Sequence, residues 1–297
     1  KEQLDVVDIA TPNDMHSVIA VYALEHGINV FCEKPDAINA AEQKKMKEAS
    51  EKNGKLLMCM RNNRYYPNSQ FLKKYIADGK CGEIYCGRCG WIRRRGIPGK
   101  GGWFTTKACS GGGPLIDIGT HALDLTLWTM NNYKPKYCVG TTYHALNDTK
   151  EQGNAWGNWD ASKFTVEDSA FGFVVMENGA TINLEASWAI NMLDTREAIT
   201  TICGTKAGAD MLDGVRINGV RQNLQYVMKP DMNAKGAAYF DGVKGESPAE
   251  REARQWINAV VNDTDPCVLP EQAIVVTRIL EGIYTSAKTG DIFRFDK

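Results

Sequence analysis

The N-terminal part of the sequence alternates between short apolar runs and helix-like segments, and no other feature limits the fold as strongly. The alternating segments are residues 4–10, 14–26, 28–32, 40–53 and 56–60. Short connections in a strand–helix–strand–helix–strand order predict a parallel sheet with right-handed crossovers. Because ligands bind at the carboxyl ends of the strands in such sheets, we expect a site in the loops there. These loops are residues 11–13, 33–35 and 61–64.

The pattern changes after residue 66, where strand-like segments dominate. They are residues 83–95, 137–146, 169–177, 181–188, 197–203, 208–212 and 214–217. Asn178-Gly179 is a strong hairpin signal between two of them. Helix-like segments occupy residues 68–78, 114–130, 248–262 and 271–288. The sequence therefore predicts a parallel α/β domain at residues 1–66 and an α+β domain at residues 67–297, whose large, mostly antiparallel open sheet has helices on one face.

Charge and composition exclude several classes of function. The 297 residues carry a formal net charge of −1 and have a pI of about 6.5, so nothing indicates a surface for nucleic acid or a membrane. No apolar run reaches the roughly 18 residues that span a bilayer. Nine scattered cysteines, an odd number, are typical of reduced thiols, so we expect a cytoplasmic protein.

One helix-like segment carries three polar residues that could perform acid–base chemistry. In the stretch SGGGPLIDIGTHALDL, Asp117, His121 and Asp124 are spaced i, i+4 and i+7, which places them on one face of a helix. A histidine between carboxylates can exchange a proton near neutral pH. The alternative is a helix whose polar face is only solvated, and the spacing alone does not decide between the two.

Four segments together carry a family resemblance. They are TPNDMH at residues 11–16, EKP at residues 33–35, Asn63-Arg64 with Tyr66-Pro67, and GGGPLIDIGTHALDL at residues 111–125. In this order and spacing, the sequence resembles the Gfo/Idh/MocA family of NAD(P)-dependent oxidoreductases. The resemblance implies an α/β partial Rossmann domain with a parallel sheet, followed by an α+β substrate domain with a large, mostly antiparallel open sheet.

The resemblance also implies roles for the catalytic residues. Lys34 would contact the nicotinamide ribose and the substrate hydroxyl, where its positive charge would stabilise an alkoxide. His121 would be the general base that removes the hydroxyl proton. Asp117 would orient His121 or bind a substrate hydroxyl, whereas Asp124 would be structural. When the resemblance is set aside, Lys34 could also be a solvated surface lysine.

NAD or NADP is the cofactor that the resemblance implies. The residues that would line its nicotinamide half are Thr11, Pro12, Asn13, His16, Glu33, Lys34, Asn63 and Arg64. Of these, Glu33 and Lys34 would contact the ribose, and Asn63 or Arg64 would also lie near the substrate. Asn13 could instead be an ordinary N-cap, since it precedes a helix-like segment.

Three further residues are candidates for contacting the substrate. On a strand, Arg93 and Arg95 point to one side and could bind a sugar hydroxyl, a carboxylate or a phosphate, and the alternative is a solvated strand end. Trp103 would form a wall of the substrate site or anchor its own loop.

Cys86 and Cys89 form a C-x-x-C pair, but positions three apart on a strand face opposite sides, so we expect no metal site.

None of the predicted strands in this sequence is followed by the G-x-G-x-x-G fingerprint of the family. The glycine clusters at residues 99–102 and 111–113 lack both its spacing and its strand–turn–helix context. We therefore expect the chain to lack the first part of the Rossmann domain, which would hold the pyrophosphate and the adenosine ribose. The choice between NAD and NADP stays open for the same reason.

The implied activity is hydride transfer between the cofactor and a hydroxyl or keto carbon of a sugar, sugar derivative or cyclitol. Two alternatives stay open: an NAD-assisted glycoside hydrolase of the same family, and a non-catalytic sugar-binding or regulatory relative. The family's substrate-domain sheet commonly joins subunits, so we expect a homodimer or homotetramer that forms through the C-terminal sheet.

Overall fold

Two β-sheets organise the chain in this computed structural model. The structure describes residues 3–99, 102–232 and 246–295. The first sheet and its connections comprise β1 (Val6–Ile9), α1 (Asn13–Glu25), β2 (Asn29–Cys32), α2 (Ala40–Asn53) and β3 (Leu57–Cys59). Its strands lie in the order β1-β2-β3, and Val30 pairs with Val7 on one side and Leu57 on the other, both in parallel. The predicted parallel sheet is confirmed.

The second sheet has nine described strands and follows the first along the chain. The elements are α3 (Pro67–Ala77), β4 (Ile84–Ile92), α4 (Lys107–Ser110), α5 (Thr120–Met130), β5 (Pro135–Tyr143), β6 (Ser169–Met176), β7 (Thr181–Ser187), β8 (Ile199–Gly204), β9 (Ala207–Asp210), β10 (Arg216–Arg221), β11 (Leu224–Met228), α6 (Pro248–Asn262), α7 (Pro270–Thr289) and β12 (Phe293–Arg294). The strand order is β11-β10-β9-β8-β4-β7-β6-β5-β12. β4 and β7 pair in parallel and the other described neighbours pair antiparallel, so the predicted mostly antiparallel sheet is confirmed.

Helices α5 and α7 cover one face of the second sheet and form the largest core with it. Leu123 and Leu127 of α5 and Ile279 of α7 are fully buried against sheet residues such as Ile182 and Val174. Apolar side chains at alternate strand positions face these helices, as expected for a sheet that is covered on one side. The prediction of helices on one face is thus confirmed.

The C-terminal helices also close the first sheet. α1 and α2 pack on one of its faces, around Leu24, Val30 and Met46. Another core lies around Met58 and includes Trp256 of α6, whose ring stacks on that of Phe31 at a centroid distance of 5.6 Å. Helix α6 therefore packs against the first sheet although it follows the second sheet in sequence. The domain boundary at residue 66 stays a prediction.

Several elements differ from the predicted ones. The predicted strand at residues 83–95 ends at Ile92, and beyond it Arg95 makes only an isolated bridge with Ala189. The predicted helix at residues 114–130 begins with a π-helix, Leu115–Gly119, before α5. The sequence does not predict β11 or β12, because β11 is mostly exposed and β12 has only two residues.

The three glycines before the π-helix form a junction where different parts of the fold meet. Gly111 has a φ of +85°, which favours glycine, and a Cβ there would lie 2.9 Å from the carbonyl oxygen of Ile38. A Cβ at Gly112 would overlap the hydroxyl group of Tyr284 on α7, and one at Gly113 would overlap the carbonyl oxygen of Glu167. The triplet therefore permits close packing and is not a cradle for phosphate.

The carboxylate of Glu167 stabilises this junction through three hydrogen bonds. The residue is only 4% exposed, and its carboxylate accepts hydrogen bonds from the backbone N–H groups of Gly113 (3.0 Å) and Leu115 (3.1 Å). The hydroxyl group of Tyr284 donates a third at 2.7 Å. Burial raises the pKa of Glu167, while these hydrogen bonds act to lower it.

We expect Gly113→Ala to lower the free energy of unfolding by about 1–3 kcal/mol, because the added methyl group meets rigid backbone. Urea denaturation followed by circular dichroism measures this change. The control is Gly54→Asn at the left-handed C-cap of α2, where no atom lies within 4 Å, and it should cost less than about 1 kcal/mol. Equal stability of Gly113→Ala and the unsubstituted protein would refute the packing role of the triplet.

Candidate active site

Lys34 lies at the carboxyl end of β2, where the parallel sheet meets the second domain. Its backbone N–H donates to the side chain of Glu33 at 2.7 Å. Its ammonium group reaches Asp117, with Nζ 2.8 Å from Oδ1 and 3.0 Å from the carbonyl oxygen. The two side chains are only 18% and 13% exposed. Lys34 is therefore a partly buried, paired cation and not a solvated surface lysine.

Asp117 is held by a second residue as well as Lys34. Its other carboxylate oxygen, Oδ2, accepts a hydrogen bond from Nε1 of Trp188 at 3.0 Å. Trp188 directly follows β7 and is fully buried. Both carboxylate oxygens thus accept from partners other than His121, and among the described residues Asp117 makes no hydrogen bond with His121. The cause is the π-helix, which changes the angular position of Asp117 relative to α5.

His121 lies near the start of α5, close to Lys34 but without a bond to Asp117. Its Nδ1 atom is buried and has no hydrogen-bond partner among the described residues. Its ring centroid lies 5.7 Å from that of Trp91 on β4. Burial lowers the pKa of His121 well below its ordinary value of 6.5, and the charges of Lys34, Arg61 and Arg93 lower it further. The imidazole is therefore neutral near pH 7 and can accept a proton.

Asp124 and Arg64 form a buried ion pair beneath this site. Arg64 donates from Nε and Nη2 to the two carboxylate oxygens of Asp124, at 2.8 and 2.7 Å, and from Nη1 to Gln272 at 2.8 Å. The structural role expected for Asp124 agrees with these contacts. Arg64 is only 2% exposed and its guanidinium group is occupied, so the expected contact with the nicotinamide does not fit this geometry.

Arg61 extends the buried pair and was missed by the sequence analysis. Its guanidinium group lies 3.4 Å from Asp124 and 3.1 Å from Asp36, which follows Pro35. Burial alone would lower the pKa of Arg61, but the surrounding negative groups raise it above the ordinary value. Arg61 therefore stays charged and joins α5 to the loop that carries Lys34. An arginine directly after a predicted strand is the only sequence signal for it.

Asn63 differs from its neighbour Arg64. Its Nδ2 atom is buried and finds no hydrogen-bond partner in the described part of the chain. The buried hydroxyl group of Thr120, directly before His121, also has no hydrogen-bond partner among the described residues. Buried donors are seldom left unpaired, so such atoms point to a missing partner. Of the pair expected near the nicotinamide, Asn63 is the residue that remains available.

The loop after β1 is tied to the rest of the site by two buried side chains. His16 places Nε2 2.8 Å from the carbonyl oxygen of Thr11 and Nδ1 2.8 Å from that of Pro35. Both ring nitrogens are thus used within the protein, and His16 holds the loop at Thr11 beside the loop at Pro35. Its expected place beside the nicotinamide stays a prediction. Asn13 donates to the carbonyl oxygen of Ser110 at 2.9 Å and makes no N-cap bond, so the N-cap alternative is wrong.

The three residues predicted to contact substrate lie in different surroundings. Arg93 packs over the ring of Trp91, at 5.6 Å, and its charge acts on His121. Arg95 is bound to Asn191 at 2.7 Å and to the carbonyl oxygen of Ile190 at 3.3 Å. Trp103 stacks on Phe104 with a centroid distance of 3.8 Å. Only Arg93 is brought into electrostatic contact with His121.

The C-x-x-C pair lies on β4. Cys89 is buried in the main core, whereas Cys86 is partly exposed. Within residues 3–99, 102–232 and 246–295, no group of three metal-ligating side chains comes together. Over the same residues, every helix is too short or too polar to cross a bilayer.

Comparison with known proteins assigns the chain to a family. Residues 1–60 match the model of an oxidoreductase family with an NAD-binding Rossmann fold, and residues 69–210 match the Gfo/Idh/MocA C-terminal domain. The D-glucoside 3-dehydrogenase of Escherichia coli (strain K12) is 31% identical over 286 residues, which cover 96% of this chain and 78% of that protein. The chain belongs to the Gfo/Idh/MocA family. The resemblance inferred from residues 11–16, 33–35 and 111–125 is confirmed.

Solved structures of other oxidoreductases share the fold. A levoglucosan dehydrogenase in complex with NADH superposes with a TM-score of 0.81 at 21% identity, covering 98% of this chain and 80% of that chain. An aldose-aldose oxidoreductase from Caulobacter crescentus, crystallised with glycerol, gives a TM-score of 0.78 at 20% identity and covers 98% and 79%. At these identities, the comparisons support the architecture of both sheets.

We expect His121 to titrate below pH 6.5, which NMR of its imidazole signals can measure after assignment with His121→Asn. Arg93→Gln should move the midpoint upward, because it removes a positive charge that favours the neutral ring. Arg88→Gln is the matched control, since this exposed arginine pairs with Glu185 and should leave the midpoint unchanged. A midpoint at or above 6.5 in the unsubstituted protein would contradict the described environment.

Proposed function

We propose that the protein oxidises a hydroxyl group of a sugar, sugar derivative or cyclitol with NAD or NADP as the hydride acceptor. One observation carries the proposal: a paired lysine and an unpaired neutral histidine lie together at the carboxyl edge of a parallel sheet. A neutral base can take the hydroxyl proton, and an ammonium group can stabilise the negative charge that develops on the oxygen. The sugar-oxidising relatives described above support the substrate class.

The residues around Lys34 fit the nicotinamide half of the cofactor. The unpartnered Nδ2 of Asn63 can donate a hydrogen bond to a carbonyl oxygen, such as that of a carboxamide. The loops at Thr11–Pro12 and Glu33–Pro35 are held side by side by His16, so their backbones form one edge. When bound there, NAD or NADP would supply the hydride acceptor.

The proton chemistry is assigned to this chain's own side chains. His121 takes the hydroxyl proton, because its lowered pKa keeps the ring neutral and able to accept. Lys34 donates a hydrogen bond to the same oxygen and stabilises the negative charge that develops there. Asp117, fixed by Trp188, holds the ammonium group in position, and its carboxylate would also accept a hydrogen bond from a neighbouring substrate hydroxyl.

The proposal is tested with Lys34→Met and His121→Asn by following reduction of NAD and NADP across a panel of sugars and inositols. Each substitution should lower kcat/KM at least about 100-fold, the usual contribution of a positioned acid–base group. Lys74→Met and His26→Asn alter an exposed lysine and an exposed histidine and should have no effect. Unchanged turnover in the first two variants would sink the assignment.

The two alternative functions are distinct outcomes of the same assay. Cleavage of a glycoside without net accumulation of reduced cofactor would identify a cofactor-assisted hydrolase. Sugar binding without any hydride transfer would identify a non-catalytic relative. Either result would replace the dehydrogenase proposal, and the Lys34 and His121 variants would then show whether the same site is used.

We also propose that the protein forms a homodimer or homotetramer through the second sheet. The face away from α5 and α7 carries aromatic side chains that remain open, including Tyr143 (48% exposed) and Phe173 (37% exposed). An uncovered apolar sheet face favours pairing with an identical copy.

A cytoplasmic location accords with nine unpaired cysteine thiols, and cell fractionation would test it.

Sedimentation velocity measures the oligomeric state. The unsubstituted protein should sediment as a dimer or tetramer, and Phe173→Asp should shift it toward the monomer because a charge is costly in an apolar interface. Val261→Asp introduces the same charge at a residue on α6 that is 75% exposed and should have no effect. A monomer for the unsubstituted protein would exclude the proposed assembly.

A further inference from the structure

An aromatic stack leads from His121 outward to an exposed tryptophan. Trp91 lies 5.7 Å from His121, and the guanidinium group of Arg93 lies 5.6 Å from the ring of Trp91. The same guanidinium group also lies 4.4 Å from the ring centroid of Trp156. Trp156 is thus connected to the proposed base through two intervening side chains, Trp91 and Arg93.

The loop that carries Trp156 is anchored on both sides of this residue. Asn154 exchanges two hydrogen bonds with the backbone of Ile97, at 2.9 and 2.8 Å. Trp159 is only 6% exposed and donates from Nε1 to the carbonyl oxygen of Asn147 at 2.6 Å. The backbone N–H of Ala155 donates to the carbonyl oxygen of Arg95 at 3.3 Å. These hydrogen bonds hold the loop, and therefore Trp156, in a fixed position.

Trp156 stays 45% exposed in this fixed position. Arg93 covers one face of the indole ring, so the exposed surface lies on the remainder. The Nε atom of Arg93 pairs with Glu197 at 3.1 Å, and its two terminal amino groups make no hydrogen bond within the described ranges. An open aromatic surface beside unused N–H donors matches a sugar or aryl ring, which offers a flat C–H or π face and oxygen atoms at its rim.

We propose that Trp156 and Arg93 form a second subsite, so that the substrate is a glycoside with a ring beyond the one that is oxidised. The oxidised ring lies between Lys34 and His121, and the second ring stacks on Trp156. Arg93 donates hydrogen bonds to oxygen atoms of that second ring or of the glycosidic link. This inference rests on the proposed dehydrogenase function and adds the substrate class to it.

The competing explanation is that Trp156 only shields the ion pair of Arg93 and Glu197. Arg93 is 14% exposed, but Glu197 is 53% exposed, so water already reaches the carboxylate and the pair gains little from a cover. A shielding role also predicts the same effect of Trp156 on every substrate. The two explanations therefore differ in how a substitution acts on one-ring and two-ring substrates.

The test compares kcat/KM for D-glucose, methyl glucoside, phenyl glucoside and cellobiose in the unsubstituted protein and in Trp156→Ala. For the two-ring substrates we expect a loss of about five- to tenfold, the range of an aromatic ring contact, and for the one-ring substrates no change. Trp156→Phe should retain most of the preference. Glu151→Ala, on the same loop, is the control and should match the unsubstituted protein.

An equal loss on all four sugars, or none on any, would overturn the subsite. Activity on cellobiose with losses on cellobiose alone would show that the second ring is a sugar, and losses on phenyl glucoside alone would show an aryl group. If the unsubstituted protein reduces no cofactor with any sugar, the dehydrogenase proposal fails instead.

Saturation-transfer NMR on the unsubstituted protein gives a readout that needs neither turnover nor a variant. With cellobiose or phenyl glucoside as the probe, protons of both rings should receive saturation, and Trp156→Ala should remove it from one ring only. Saturation confined to a single ring in the unsubstituted protein would overturn the subsite, whether or not the enzyme is active.

Discussion

The ion pair between Lys34 and Asp117 is the interaction on which the site depends. It joins the carboxyl edge of the parallel sheet to the π-helix that precedes α5, and Trp188 connects the same carboxylate to the second sheet. Three parts of the fold thus meet at one carboxylate. Because the pair is partly buried, loss of either partner leaves a charge without compensation in a poorly solvated place.

The packing around this pair explains how a short contact can be kept between two sheets. The glycine triplet at residues 111–113 lets the chain pass close to Ile38, Tyr284 and Glu167 just before Asp117. Below it, Arg61 bridges Asp36 and Asp124, and so connects the lysine loop with the histidine helix. These ion pairs and close backbone approaches fix how the lysine loop and the histidine helix lie relative to each other. Apolar burial alone would not fix that orientation.

The fold was largely predictable because its signals are local. Alternating apolar runs and helix-like segments predict the parallel sheet, and Lys34 was found because EKP ends one of these strands. The relation between Asp117 and His121 was not, since helical spacing assumes a regular α-helix and nothing in the residues announces a π-helix. The sequence contains no signal for the bond of Trp188, whose partner lies 71 residues away, or for the pairing of Arg64 with Asp124, which exists only in the folded chain.

The buried pair of Arg64 and Asp124 has a consequence for how mutational data on this protein are interpreted. Asp124 follows His121 by less than one helical turn, so an error in its position is transmitted to the imidazole. A screen that scores only the loss of turnover would group these two anchors with Lys34 and His121. Chemistry and anchorage separate only when folding is measured beside rate, since a variant of Arg64 or Asp124 loses both together, whereas a variant of His121, whose Nδ1 has no partner among the described residues, loses the rate alone.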